Sequence, residues 1–125
     1  MYEKDYIMRV IKEIVRTLIK LLFNIDTEKA TDELLKDQNS INKLKQLLEM
    51  IENGQINEAE NEVYDLIERG DRDQEQIKLA ILFYAYLNDK DDEFLISHAF
   101  SREEIKEGLQ NIARKCGVAG LTELY

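Results

Sequence analysis

The chain has 125 residues, a net charge of −9 and a single cysteine, Cys116. A chain of this length forms most simply one domain, here residues 1–125, and buries roughly two-thirds of its unfolded surface without disulfides or metals. The lone cysteine cannot form an internal disulfide, which is typical of a reducing compartment. The 26 acidic against 17 basic side chains repel a phosphate backbone. We therefore expect a cytoplasmic protein without a nucleic-acid partner.

Helix breakers are scarce, since there is no proline and there are only five glycines. This composition predicts an all-α fold of about six or seven helices. Near the N-terminus, charged side chains such as Lys12 and Arg16 interrupt every apolar run before it reaches the length of a signal or membrane-spanning segment. A membrane-spanning segment is therefore not expected.

The first predicted helix, 1–23, carries apolar side chains at helical spacing over more than a third of its circumference. It has five basic and three acidic side chains, so this segment is +2 and the remainder is −11. Its apolar side can complete the domain core, pair with a second copy to give a homodimer, or lie on an anionic membrane. The candidate self-association face consists of Ile7, Ile11, Ile14, Leu18 and Leu22.

A weaker helix is predicted over 26–37. Asp26 or Thr27 can serve as its N-cap, and its apolar face holds only Ala30, Leu34 and Leu35.

Two stronger helices follow, joined by a tight glycine turn. Ser40 is the expected N-cap of the first, which ends at Asn53 and Gly54 because glycine readily takes the left-handed C-cap conformation. Asn57 is the expected N-cap of the second, with Glu60 three residues later completing a capping box.

Residues 71–88 form the next predicted helix, which is apolar on nearly all sides and should be the most buried element. A short helix is expected over 92–99. Ser101 and Glu104 then predict a capping box at the start of a helix that Gly117 ends.

The hairpin around Gly54 resembles a tetratricopeptide unit, in which a glycine closes the first helix and a small alanine, here Ala59, allows close helix packing. The resemblance implies two tetratricopeptide-like hairpins over 40–99, closed by a capping helix over 101–116. In the second hairpin, Glu93 replaces the small residue. Such an array presents a groove, and the candidate partner contacts in it are Tyr64, Tyr84 and Tyr86.

A second resemblance rests on the opening segment, MYEKDYIMRVIKEIVRTLIKLLF, and on a later block, ILFYAYLNDKDDEFLISHAFSREEIKEGL. Both are similar to a family of short, uncharacterised bacterial proteins grouped as a domain of unknown function. This resemblance implies a small cytoplasmic bacterial protein and brings no activity with it.

Candidate chemical groups are few. His98 could act as an acid or base, but it has no carboxylate or nucleophile at a recognisable spacing. Cys116 lies beside two cations that favour a thiolate, but a helix C-terminus disfavours one, so a structural role is expected. The acidic run that begins at Asp89 fails as a calcium loop, since its sixth position is Phe94 and its twelfth is Phe100. We therefore predict no catalytic, cofactor-binding or metal-binding residues.

The sequence thus favours a non-catalytic module that binds another protein or itself. The alternatives are a small enzyme or ligand-binding protein that uses His98 or Cys116, and a peripheral membrane protein attached through its first helix.

Overall fold

The computed structural model describes residues 2–28, 31–69 and 73–122, and within them the side chains of all residues except 2–5 and 121. Regular structure in this part of the chain is helical throughout, which confirms the all-α prediction and its number of helices. The helices are α1 (Tyr2–Phe23), α2 (Gln38–Glu52), α3 (Ile56–Arg69), α4 (Gln74–Asn88), α5 (Asp92–Ser97), α6 (Arg102–Lys115) and α7 (Ala119–Thr122).

Helix α4 lies at the centre of the domain. Every residue from 77 to 84 is buried, and so are Leu87 and Asn88. Because this helix is apolar on nearly all sides, it can pack against α1, α2, α3 and α6 at once. The prediction of a central, most buried helix is confirmed for the described residues, although Asp71, its expected first residue, lies outside them.

Helix α1 packs its wide apolar face against α4 and α6. Ile11, Ile14 and Leu18 have no exposed surface, while Ile7 and Leu22 are partly buried against the core. Three of the five residues of the predicted self-association face therefore cannot meet a second copy, because the domain core already covers them. The same burial removes the surface that attachment to a membrane through this face would need.

The predicted helix over 26–37 is wrong for the residues of this segment that the structure describes, 26–28 and 31–37. The described part of this segment contains one 3₁₀ turn, Asp32–Leu34, and Ala30 lies outside the described residues. The carboxylate of Glu75 accepts hydrogen bonds from the backbone N–H groups of Lys36 and Asp37, at 2.9 and 2.8 Å. The segment has too few apolar side chains for a helix to be stabilised by the burial of one face. The hydrogen bonds to Glu75 instead stabilise a non-helical conformation at Lys36 and Asp37.

Two predicted helix starts are wrong by three and two residues. Helix α2 begins at Gln38 with Asp37 as N-cap, so Ser40 lies inside its first turn and is buried. The anchor on Glu75 fixes Asp37 just ahead of the helix, where its carboxylate accepts from the backbone of Asn39. Helix α3 begins at Ile56, which places Asn57 within the helix.

The best-defined boundary is the start of α6. The Ser101 hydroxyl accepts from the backbone N–H of Glu104, and the Glu104 carboxylate accepts from the backbone N–H of Ser101, which confirms the predicted capping box. Gly54 and Gly117 have φ of 82° and 78°, as expected of C-cap glycines.

Helices α2 and α3 form the first predicted hairpin, and Ala59 is completely buried where α3 packs closely. In the second hairpin, α4 has 15 residues and α5 only six, Asp92–Ser97. The tetratricopeptide-like arrangement therefore stays a prediction. In the described part of the chain, every helix is too short or too polar to cross a bilayer.

Candidate functional site

A surface groove is bounded by the first turns of α1, by α5 and by the start of α6. Its volume is about 470 Å³. Tyr6 on α1 and Ile96 on α5, both in its lining, are 63% and 74% exposed. They are two of the four large apolar side chains that are well exposed in the described part of the chain. We call this feature the apical groove, defined by Tyr6, Ile7, Val10, Leu95, Ile96 and Phe100, with Glu103 and Lys106 at its α6 side.

The Arg102 side chain holds the elements around this groove together. Its residue is only 6% exposed. Nη1 donates to the backbone oxygen and to Oδ1 of Asn88, at 2.7 and 3.1 Å, and Nε donates to Oδ1 of Asp92 at 3.1 Å. Nη2 donates to the backbone oxygen of Lys90. The first residue of α6 is thus fixed to the end of α4, to the α4–α5 turn and to α5.

Asn88 extends this network to α1. It is 1% exposed, and its Nδ2 donates to the backbone oxygen of Met8 at 3.1 Å. One continuous set of hydrogen bonds therefore joins all the helices that border the apical groove, so the groove is already formed in the free protein.

Neither Arg102 nor Asn88 was predicted from the sequence as part of a site. One pattern could have indicated Arg102, because a cation at the first position of a helix is disfavoured by the helix dipole and needs a compensating partner.

A second polar cluster surrounds Lys90. Its ammonium lies 5.0 Å from the ring centroids of both Tyr86 and Phe94, and it donates to the carboxylate of Glu52. The Tyr86 hydroxyl donates to the same carboxylate. The hydrogen bond from Lys90, and after it the one from Tyr86, holds the pKa of Glu52 below its usual value. The hydrogen bond to Glu52 raises the pKa of Tyr86. Tyr86 is therefore engaged within the chain.

Tyr84 is 2% exposed, so it cannot contact a partner at the surface. Its hydroxyl donates to Oε2 of Glu60 at 2.8 Å. Burial raises the pKa of Glu60 despite this hydrogen bond, and burial likewise raises the pKa of Tyr84.

Tyr64 is 43% exposed and lines a separate acidic pocket with Glu60, Glu104 and Glu107. Tyr64, Tyr84 and Tyr86, predicted to share one groove, therefore lie in three different environments, one at the surface, one in the core and one in the Lys90 cluster. The structure does not assemble the predicted partner groove.

Of the two candidate catalytic side chains, His98 makes contacts within its own helix and turn. Nδ1 of His98 lies 2.8 Å from the backbone oxygen of Phe94, and the His98 ring contacts the Phe94 ring in a tilted arrangement, with centroids 4.6 Å apart. A Cβ at Gly54 would lie 2.5 Å from the His98 ring, so this turn needs glycine for space as well as for its φ. Cys116 is the half-buried C-cap residue of α6. Within the described ranges, no three His, Cys, Asp or Glu side chains are grouped to hold a metal ion.

Comparison with known proteins places the chain in one family. Residues 1–117 match a family of unknown function (DUF6483). The chain belongs to this family. The match covers α1 to α6, so the apical groove, the Arg102 network and the Lys90 cluster all fall within DUF6483. Neither the curated proteins nor the solved structures gave a match to the chain.

The lowered pKa of Glu52 predicts a loss of stability in acid. Since the folded state favours the carboxylate, its stabilisation is present above the ordinary glutamate pKa of about 4.3 and is lost as the pH falls through the lower folded value. We expect Glu52→Gln to lower the urea midpoint of unfolding near neutral pH. The difference from the wild type should shrink as the pH falls below about 4.

Glu60→Gln is the matched control, because Glu60 also binds a tyrosine but has a raised pKa. Above the folded-state pKa of Glu60, its ionised carboxylate lowers the free energy of unfolding. This destabilisation disappears as the pH falls from the folded-state pKa of Glu60 to the ordinary glutamate pKa. The two variants should therefore change the pH profile in opposite senses. Parallel profiles for wild type, Glu52→Gln and Glu60→Gln would contradict the prediction.

Proposed function

We propose that this protein is a non-catalytic binding module whose apical groove receives apolar side chains from a protein surface. The observation that carries the proposal is the placement of Tyr6 and Ile96 on the lining of one preformed groove. Large apolar side chains that gather at one concave place mark interaction sites, whereas single scattered ones do not. Burying one such side chain contributes about 1.5–3 kcal/mol.

The polar groups around the groove favour binding over chemistry. The Arg102 guanidinium is bonded to Asn88, Lys90 and Asp92, and Ser101 is engaged in the capping box. A catalytic group must reach a reacting atom, but these two are held in contacts within the chain. What the groove offers a partner is apolar surface and a fixed shape, and preorganisation reduces the entropy cost of association.

Site-specific photocrosslinking tests this function. We would replace Tyr6 or Ile96 with p-benzoylphenylalanine, irradiate the native cells and resolve the adducts by mass. The expected result is one discrete protein adduct shared by both positions, since both side chains border the same groove. The same photoreactive residue in place of Leu21, which is 44% exposed on α1 but does not line the groove, should give no such adduct.

A second substitution separates groove binding from random contact. In the variant with the photoreactive residue at position 6, adding Ile96→Glu should reduce the adduct by about tenfold, because it places a charge in the apolar contact. Adding Leu21→Glu should leave the yield unchanged. Both substituted side chains are exposed, so the fold should tolerate either change. Equal adduct yields at positions 6, 21 and 96 would overturn the proposed function.

A further inference from the structure

We propose that the segment between α1 and α2 is a strap that opens as one unit while the helices stay folded. The strap consists of the described residues 24–28 and 31–37. Two side chains in the first turns of α4, Glu75 and Lys78, form the clasp that keeps it closed. The strap borders a different cleft from the apical groove, so this proposal is independent of the proposed function.

A cleft of about 470 Å³ lies between the strap and two helices. Its lining includes Val15 and Ile19 of α1, Ala85 of α4, and Thr27 and Thr31 of the strap. Elements that are closely packed leave few such spaces between them. The strap is therefore not packed against α1 and α4 along its whole length, and its opening widens the cleft and uncovers apolar side chains.

The two ends of the strap are held at one place, the start of α4. Nζ of Lys78 lies 5.2 Å from the ring centroid of Phe23, the residue just before the strap. At the other end, the Glu75 carboxylate accepts the backbone N–H groups of Lys36 and Asp37. Nζ of Lys78 and Oε2 of Glu75 are 3.5 Å apart, so one ion pair joins both ends. A surface loop whose ends meet in this way is an Ω-loop.

The clasp is stronger than a second ion pair that holds the strap. The side chains of Lys78 and Glu75 are only 9% and 17% exposed, so solvent and salt screen their attraction little. The second pair joins Asp26 of the strap to Arg16 of α1, and both side chains are exposed. Exposed pairs contribute little to stability. The clasp therefore controls how often the strap opens.

The described residues of the strap have little else to lose when it opens. Their one regular feature is a 3₁₀ turn, in which the N–H groups of Leu34 and Leu35 donate to the oxygens of Thr31 and Asp32. Among these residues, Leu35 alone is buried. Segments with few buried apolar contacts open at a lower free energy than the core does. Opening of the strap therefore does not require α4 to unfold.

Native-state hydrogen exchange measured by NMR tests the strap. In the wild type, the Leu34 and Leu35 amides should exchange at least about tenfold faster than the Phe83 amide of α4, after correction for intrinsic rates. Glu75→Ala should accelerate both leucine amides by a further factor of about ten, because it removes the charged acceptor from the clasp. Both amides donate to oxygens within the strap, so neither loses its own hydrogen bond in this variant.

Asp26→Asn is the matched control, since it removes the exposed ion pair and leaves the clasp in place. It should change the exchange of the leucine amides by less than about threefold. The proposal is overturned if Glu75→Ala accelerates only the two amides that bind Glu75 directly. It is also overturned if the leucine amides of the wild type exchange no faster than the Phe83 amide.

A thiol in the cleft reports whether the strap covers it. In a Cys116→Ser background, Ala85→Cys places a single thiol in the lining. A bulky maleimide should label this thiol about tenfold faster when Glu75→Ala is added, because the label enters through the open state. Adding Asp26→Asn should leave the labelling rate nearly unchanged. If Glu75→Ala also leaves it unchanged, the strap does not control access to the cleft, and the proposal is overturned.

Discussion

Gly108→Ala is expected to lower the free energy of unfolding by about 2–3 kcal/mol, although alanine is the better helix former by about 1 kcal/mol. Gly108 lies within α6, where a Cβ would stand 2.2 Å from Cζ of Tyr84. The ring cannot move aside easily, since Tyr84 is 2% exposed, stacks edge-to-face on Phe83 and is held by its hydroxyl on Glu60. The added methyl group must therefore separate α6 from α4.

Urea unfolding followed by circular dichroism measures this effect, with Gly120→Ala as the matched control. A Cβ at Gly120 meets no atom within 4 Å, so that change should be neutral or stabilise by up to about 1 kcal/mol. Tyr84→Leu removes the atoms that a Cβ at position 108 would meet. The cost of Gly108→Ala should therefore be smaller in a Tyr84→Leu background, which a double-mutant cycle reports. Equal effects of Gly108→Ala and Gly120→Ala would contradict the close contact.

Features that depend on neighbouring residues in the chain could be predicted from the sequence. The capping box of Ser101 and Glu104 involves groups three residues apart, and the C-cap at Gly54 depends on one residue's own conformation. The burial of α4 follows from apolar side chains on all its faces. In each case the physical cause lies within one turn or one helix.

Features that depend on distant residues were missed. The segment 26–37 is held by Glu75, which lies 38 and 39 residues beyond the two backbone groups that it binds. The amphipathic pattern of α1 predicts a buried face, but the pattern is the same whether a second copy or α4 and α6 cover that face. Tyrosine is a residue type typical of protein contact surfaces, but Tyr84 is buried. Its burial is possible because the carboxylate of Glu60, 24 residues earlier in the chain, accepts the hydrogen bond of its hydroxyl. Long-range partners of this kind are not encoded in local spacing.

Arg102→Met is expected to lower the free energy of unfolding by about 3 kcal/mol or more. Methionine fills a similar volume but donates no hydrogen bond, so it leaves the backbone oxygens of Asn88 and Lys90 without the donors that the guanidinium supplies. Arg102→Lys keeps the charge but cannot reproduce the planar fork that reaches Asn88, Lys90 and Asp92 at once. Arg102→Lys should therefore lower the free energy of unfolding by less than Arg102→Met does.

The location of this loss distinguishes a hydrogen-bonded hub from an ordinary buried side chain. Since Asn88 binds both Arg102 and the backbone oxygen of Met8, Arg102→Met should increase hydrogen exchange in α5 and in the first turns of α1 as well as at the start of α6. Arg114→Met, on the exposed side of the same helix, is the control and should change stability by less than about 0.5 kcal/mol. If Arg102→Met changed exchange in α6 alone, the network would not couple the elements of the apical groove. The groove would then have to be held in shape by apolar packing, and its fixed geometry could no longer be attributed to Arg102.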